Sequence, residues 1–461
     1  MDGDEGSYVL VAKLAFEGRI PYHDFLHTQM PLLPYVVGAW SALFGEDWHV
    51  ARLLFAALAV ALGALLYLHL LRRHGRILAA AGLAAYALSD LAIGSFTPIK
   101  TQGLSAFLLF AAFVVVDRVG PITPSRCLAG FVLLGLAVDV RLLFVAAIPV
   151  FAWAVVTRTA AAERTRALGA ATAGLAVGLL PSAAFFALDP DRFVFGNLGA
   201  HATRSDAGLI GDLRQKVVLA ESMLGVSQYL ALFLAGVLAV LALPLLGRRV
   251  PLSVLVAAPI VLVSFLPTPA YDSYFSVAVP FAVVGAVELA AALRDRLRLA
   301  GDAPLARVLG ALGGVVLAAY LVLGAIALYS WLRGSSEPAD FRISQIERVS
   351  ALVDEHTRPG EEIVSSWPGY LFGTHAVPVA GLESDFAPRD AARLSREEAR
   401  RYHLLTAEGV EDVIRSRRAR LVIARPWHGQ GPLPEYRRAA EQAGYRVLAD
   451  VGQARIYVLA P

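Results

Sequence analysis

HVARLLFAALAVALGALLYLHLL, residues 49–71, followed at once by Arg72-Arg73-His74-Gly75-Arg76, is the stretch on which the fold class turns. Apart from Arg52 and the histidines near its ends, the run is apolar. A helix rises 1.5 Å per residue, so about 20 apolar residues cross the ~30 Å of bilayer hydrocarbon. A basic cluster directly after such a run marks a cytoplasmic end. Similar runs occupy 77–95, 102–118, 127–139, 142–157, 167–187, 228–246, 250–266, 274–293 and 306–332. The spacing predicts a polytopic α-helical membrane protein with about ten spans. The pair 127–139 and 142–157 is short enough to be tilted or partly re-entrant.

The loops between the runs alternate in charge. Basic ones fall at 72–76, 118–126, 158–166, 247–249 and 294–307. The others, 95–101, 188–227 and 267–273, are poorer in Lys and Arg and richer in aromatics, Pro and Asp. The positive-inside rule puts the first set in the cytoplasm. Residues 1–48 and everything after 333 are then expected outside, on a multi-pass protein of the cell membrane (plasma or inner). An outer N-terminal segment implies that the first span inserts N-out or that a helix precedes it.

Composition agrees. The 461 residues are 57% hydrophobic and 17% charged, against roughly a quarter charged in soluble domains; mean hydropathy is +0.59. The net charge of +3 sits in short loops, which argues against nucleic acid as a partner. The single cysteine, Cys127, excludes an intrachain disulfide and a thiolate metal site. No basic start followed by an apolar run opens the chain, so no cleavable signal peptide is expected.

Three regions follow: an outer segment 1–48, a membrane domain 49–332, and an outer domain 333–461. In the first, 8–16 has helical apolar spacing and 31–44 reads as a helix lying in the interface. Asp4, Glu5, His23, Asp24 and His27 lie beside these helices. Lys100, Arg141 and Arg52 fall at the same expected depth, at outer span ends, and Tyr271, Asp272 and Tyr274 cap another pair. Ionisable residues at span ends are often snorkelling anchors. Their other reading is a cationic pocket for a phosphate, facing carboxylates across a cleft.

Asp4-Glu5-Gly6-Ser7-Tyr8, then Gly18-Arg19-Ile20-Pro21-Tyr22-His23-Asp24-Phe25, Pro31-Leu32-Leu33-Pro34-Tyr35, Phe44-Gly45 and Ala51-Arg52-Leu53 resemble the first outer loop of the GT-C glycosyltransferases. The nearest branch holds protein O-mannosyltransferases and lipid A aminoarabinose transferases (families 39 and 83). The resemblance implies a sugar passed from a polyprenyl-phosphate donor to a protein, lipid or glycan acceptor, with inversion, at the outer leaflet. Asp4, with Glu5, inherits the role of base or acceptor-orienting group. Lys100, Arg141 and Arg52 become candidates for the donor phosphate, and His23, Asp24, His27, Gln29, Tyr271 and Tyr274 for substrate contact. Many relatives carry Lys-Pro-Pro where this chain has Gln29-Met30-Pro31, leaving Lys100 or His27 to replace that lysine. They also carry a membrane helix before the acidic pair. No cofactor is required; a divalent metal on His23, Asp24 and His27 is the lesser reading.

The tail reads as a small α/β domain, with a helix at 341–357 and strands at 362–366, 420–424, 445–451 and 454–459. Trp367-Pro368-Gly369-Tyr370 and Pro426-Trp427-His428-Gly429 follow strands, where such domains bind ligands; they read as loop aromatics or as glycan contacts. Two alternatives to a transferase stand: a transporter or lipid flippase, and a non-catalytic sugar-binding protein of the same fold.

Overall fold

Asp47 starts the helix that carries the opening stretch. Its carboxylate accepts the Val50 N–H at 3.0 Å, an N-cap that satisfies one orphan donor. Arg72, Arg73 and His74 fill the last turn, and Gly75, at φ 83°, ends it in a conformation that suits glycine. The structure, a computed structural model, describes residues 3–118, 120–204, 208–299, 303–333, 342–384, 387–426 and 433–459.

Along the chain, α1 (Glu5–Phe16) and α2 (Leu32–Phe44) precede α3 (Trp48–His74). Then come α4 (Arg76–Ala87), α5 (Asp90–Phe96), α6 (Thr101–Val116), α7 (Pro124–Val140), α8 (Ile148–Arg158), α9 (Arg164–Gly178) and α10 (Leu180–Leu188). Short turns α11 (Pro190–Val194) and α12 (Ala200–Ala202) lead to α13 (Gly208–Gly225), α14 (Ser227–Leu245), α15 (Leu252–Val263), α16 (Val279–Leu299) and α17 (Ala303–Leu332). The chain is a multi-pass membrane protein of helical architecture. Among the described residues four helices are long and apolar enough to cross a membrane, or up to six if each bent pair is one span. The ten runs expected all hold helix, but several are shorter than a span. Helix α6, for one, is about 24 Å long. It lies inside the bundle, buried along most of its length, so it is covered by protein rather than lipid.

Glycines let two helices touch. A Cβ on Gly178 would lie 2.8 Å from the Gly135 Cα and 2.5 Å from the Val132 carbonyl, and one on Gly174 would lie 2.4 Å from the Leu128 carbonyl. The α7–α9 crossing is thus of the small-residue kind that membrane helices use in place of a hydrophobic drive. Among the described residues two apolar helix pairs are sharply bent: α4 and α5 meet at 61°, and residues 161–178 meet α10 at 53°.

The C-terminal domain has a helix, α18 (Ile343–His356), and a five-stranded sheet in the order β2-β1-β3-β5-β4. Strands β1 (Glu362–Ser365), β2 (Val377–Pro378) and β3 (Leu421–Ala424) run parallel, while β4 (Tyr445–Val451) and β5 (Ala454–Leu459) close an antiparallel edge. The two-residue β2 is too short for an alternating pattern to reveal it.

Residues 3–48 and the C-terminal domain share one end of the bundle. The Trp367 indole N–H donates to the Gly3 carbonyl at 2.7 Å and stacks on Trp48 at 5.8 Å. Lys13 donates to the carbonyls of Leu371 and Thr374. The basic loops gather at the far end of α3, about 40 Å away, where Arg73 pairs with Asp117 at 2.8 Å and Glu288 at 3.2 Å.

Candidate functional site

A cavity of about 590 Å³ opens between the N-terminal segment, the bundle and the C-terminal domain. The start of α1 brings Asp4 and Tyr8 to it, the turn before α2 brings His27 and Gln29, and the segment leading into α6 brings Lys100. Arg141 enters after α7, Tyr271 and Tyr274 enter from the turn before α16, and Arg389 enters from the C-terminal domain.

Asp4 and Lys100 form an ion pair at 3.6 Å, with the lysine nearly buried and the carboxylate more than a third exposed. Arg141 donates to the Thr101 hydroxyl at 2.9 Å and lies 4.2 Å over the Tyr274 ring. Those contacts fix the guanidinium beside the lysine without neutralising it. Burial holds the Tyr8 phenol well above the ordinary tyrosine pKa, so its O–H remains a donor next to Asp4.

Glu5 turns the other way. It is fully buried, takes a two-pronged ion pair from Arg52 at 2.7 and 3.1 Å, and accepts the Ile99 N–H at 3.0 Å. The pair expected to share a site is therefore split: Asp4 lines the cavity, whereas Glu5 and Arg52 tie α1 to α3 and to the loop that carries Lys100. His23 and Asp24 bond to each other at 2.7 Å on the exposed side, outside the cavity lining. Burial raises and hydrogen bonds from Ile20 and His23 lower the Asp24 pKa, with the bonds prevailing.

His27 is on the wall but is buried, and desolvation pushes its pKa down to about 4; His201, on the same wall, is likewise pushed to about 4. Both rings are neutral near pH 7, so neither replaces the missing loop lysine as a cation. His23, Asp24 and His27 do not converge. The potential metal-ligand group found among the described residues is His69, Asp117 and Glu288 at the far end, where Arg73 and Arg158 already bond the carboxylates. Trp367 and Tyr370 are buried beneath α1, packed rather than presented to a glycan. Trp427, His428 and Gly429 lie outside the described residues.

The crystal structure of ArnT from Cupriavidus metallidurans in the apo state superposes with a TM-score of 0.68 at 13% identity, covering 99% of this chain and 93% of that one. The same protein bound to undecaprenyl phosphate gives 0.64 at 14% identity, with the same coverage. The chain has the GT-C glycosyltransferase fold. Neither a family model nor a curated protein sequence matches it.

The cavity also draws in residues that the sequence did not single out. Arg204 makes a two-pronged pair with Asp390 at 2.9 and 3.0 Å, so a buried carboxylate of the C-terminal domain holds a cation of the 188–227 loop at the cavity. Asp90, Tyr229 and Trp331 line its other flank. Each bonded pair among them is more than a hundred positions apart, and no spacing in the sequence joins its members.

Proposed function

We propose that this chain is a membrane glycosyltransferase. It moves a hexosyl or pentosyl unit from a polyprenyl-phosphate carrier to a protein, lipid or glycan acceptor on the outer face of the cell membrane. The observation that carries this reading is one cavity holding a carboxylate, Asp4, against the fixed cations Lys100 and Arg141. The likeness in fold to a protein solved with undecaprenyl phosphate supports it.

In the step, the acceptor hydroxyl oxygen attacks the anomeric carbon from the face opposite the phosphate. The bond from that carbon to the phosphate oxygen breaks, and its electron pair leaves with the phosphate. Asp4 orients the hydroxyl and takes its proton. Lys100 and Arg141 stabilise the growing phosphate charge, an electrostatic effect worth several kcal/mol in a site that excludes water. The configuration at carbon inverts. The N-terminal segment and C-terminal domain face outside, and the basic loops face the cytoplasm.

Transfer of radiolabelled sugar from undecaprenyl-phosphate donors, measured in membranes, tests the reading. Asp4→Ala lowers the rate about 100-fold or more and leaves binding of undecaprenyl phosphate intact. Lys100→Gln weakens that binding about tenfold. Undiminished transfer by Asp4→Ala would sink the role of Asp4, and sugar or lipid flux without transfer would favour a transporter.

A further inference from the structure

The cavity extends from Lys100 back along α5 to the break between α4 and α5. Three elements meet there. Asp90 opens α5, Tyr229 stands at the start of α14, and Trp331 stands near the end of α17. The Trp331 indole N–H donates to one oxygen of Asp90 at 3.1 Å, and the Tyr229 hydroxyl donates to the other at 3.2 Å. Gln228 accepts the Asp90 N–H at 3.0 Å. One turn along, Gly94 makes room for the indole, since a Cβ there would lie 2.9 Å from the Trp331 Cζ2. The ring therefore crosses α5 beside the carboxylate, and Asp90, Gly94, Ser95, Tyr229 and Trp331 all face the cavity.

A carboxylate in a membrane-spanning unit is costly and, where it lines a cavity, marks function. Tyrosine and tryptophan hold Asp90 in place with neutral donors, and none of the described Lys or Arg residues pairs with it. Each carboxylate oxygen still has a lone pair to offer. A phosphate would be repelled here and drawn instead to Lys100 and Arg141. The group that fits is neutral, rich in hydroxyl donors, and apolar on one face.

We propose that Asp90, with Tyr229 and Trp331, forms the subsite that holds and selects the donor's sugar ring. Asp90 accepts hydrogen bonds from ring hydroxyls, and the indole covers the ring's C–H face. The donor then lies along residues 90–100, with its sugar toward Asp90 and its phosphate toward Lys100. This assignment rests on the transferase reading above and adds the residues that choose the sugar.

The test compares the wild type with Asp90→Asn and Trp331→Phe in lipid nanodiscs. Binding and transfer are measured for bare undecaprenyl phosphate, a panel of undecaprenyl-phosphate hexoses and pentoses, and deoxy analogues lacking one hydroxyl. The bare carrier is expected to bind all three proteins alike. Asp90→Asn lowers affinity for the preferred donor by about 10- to 100-fold and leaves one deoxy analogue unaffected, so discrimination between the two collapses. Trp331→Phe, which keeps a ring but loses the N–H, shows a smaller loss of the same pattern. Equal losses for bare carrier and donor would make Asp90 a packing residue and overturn the subsite. So would unchanged discrimination in Asp90→Asn while the wild type transfers sugar. A wild type that neither transfers sugar nor prefers a donor over the bare carrier overturns the transferase reading itself, and the subsite falls with it.

Discussion

At residue scale, Asp4 and Glu5 are adjacent in sequence but separated by about 100° around the helix axis. One reaches the cavity and the other is driven into the bundle. A buried carboxylate survives there because Arg52 and the Ile99 N–H satisfy it. Glu5→Gln removes the charge that Arg52 answers. The expected cost is about 2–3 kcal/mol, read as a lowered melting point in detergent, and the loss is partly recovered in Glu5→Gln/Arg52→Met. A variant as stable as wild type would return Glu5 to the list of catalytic candidates. The sequence pattern grouped both acids with the span ends that carry Lys100 and Arg141. It did not show which way each one points, because that depends on what packs against α1.

At element scale, the break between α4 and α5 defines one flank of the cavity. Residues 77–95 read as a single span because hydropathy counts apolar residues and is blind to the direction of an axis. The break frees backbone groups, which in a membrane must find partners. Gln228 supplies them, accepting the Asp90 N–H and donating to the Leu88 carbonyl at 2.9 Å, and it ties the break to α17 by donating to the Tyr320 carbonyl at 2.8 Å. Gln228→Leu strands the Asp90 N–H and the Leu88 carbonyl, while the Tyr320 carbonyl keeps its place in the ladder of α17. We expect a loss of about 3 kcal/mol, with faster amide hydrogen exchange confined at first to residues 86–93. Exchange rising uniformly across α3 to α6 would argue against a local clamp.

At the scale of the whole molecule, the membrane bundle and the C-terminal domain build one cavity wall together. Its neutral histidines make stability depend on pH. His27 and His201 have folded pKa values near 4 against 6.5 for the free group, so the unfolded chain binds protons first as pH falls. The stability they allow is complete above about pH 6.5. It declines toward pH 4 by up to about 1.4 kcal/mol per pH unit for each ring. Buried Glu383 and Asp390, whose pKa values burial raises, slope the opposite way. The informative measurement is therefore the difference in melting point between wild type and His27→Gln/His201→Gln from pH 7 to 4.5. It should shift steadily in the variant's favour, and a constant difference would rule the histidines out.

Length, apolar runs and loop charge were enough to establish a helical multi-pass protein with an α/β tail, because hydropathy and strand alternation are local properties that each segment carries alone. The opening run, 49–71, needed no neighbour to be read as a helix. The first-loop residues were enough to suggest the GT-C fold. Which side chains share the cavity was decided only in the tertiary structure. The Arg204–Asp390 pair spans 186 positions and the Trp331–Asp90 bond spans 241. Contacts that distant depend on how helices cross and where they break, and the chain records neither as a spacing.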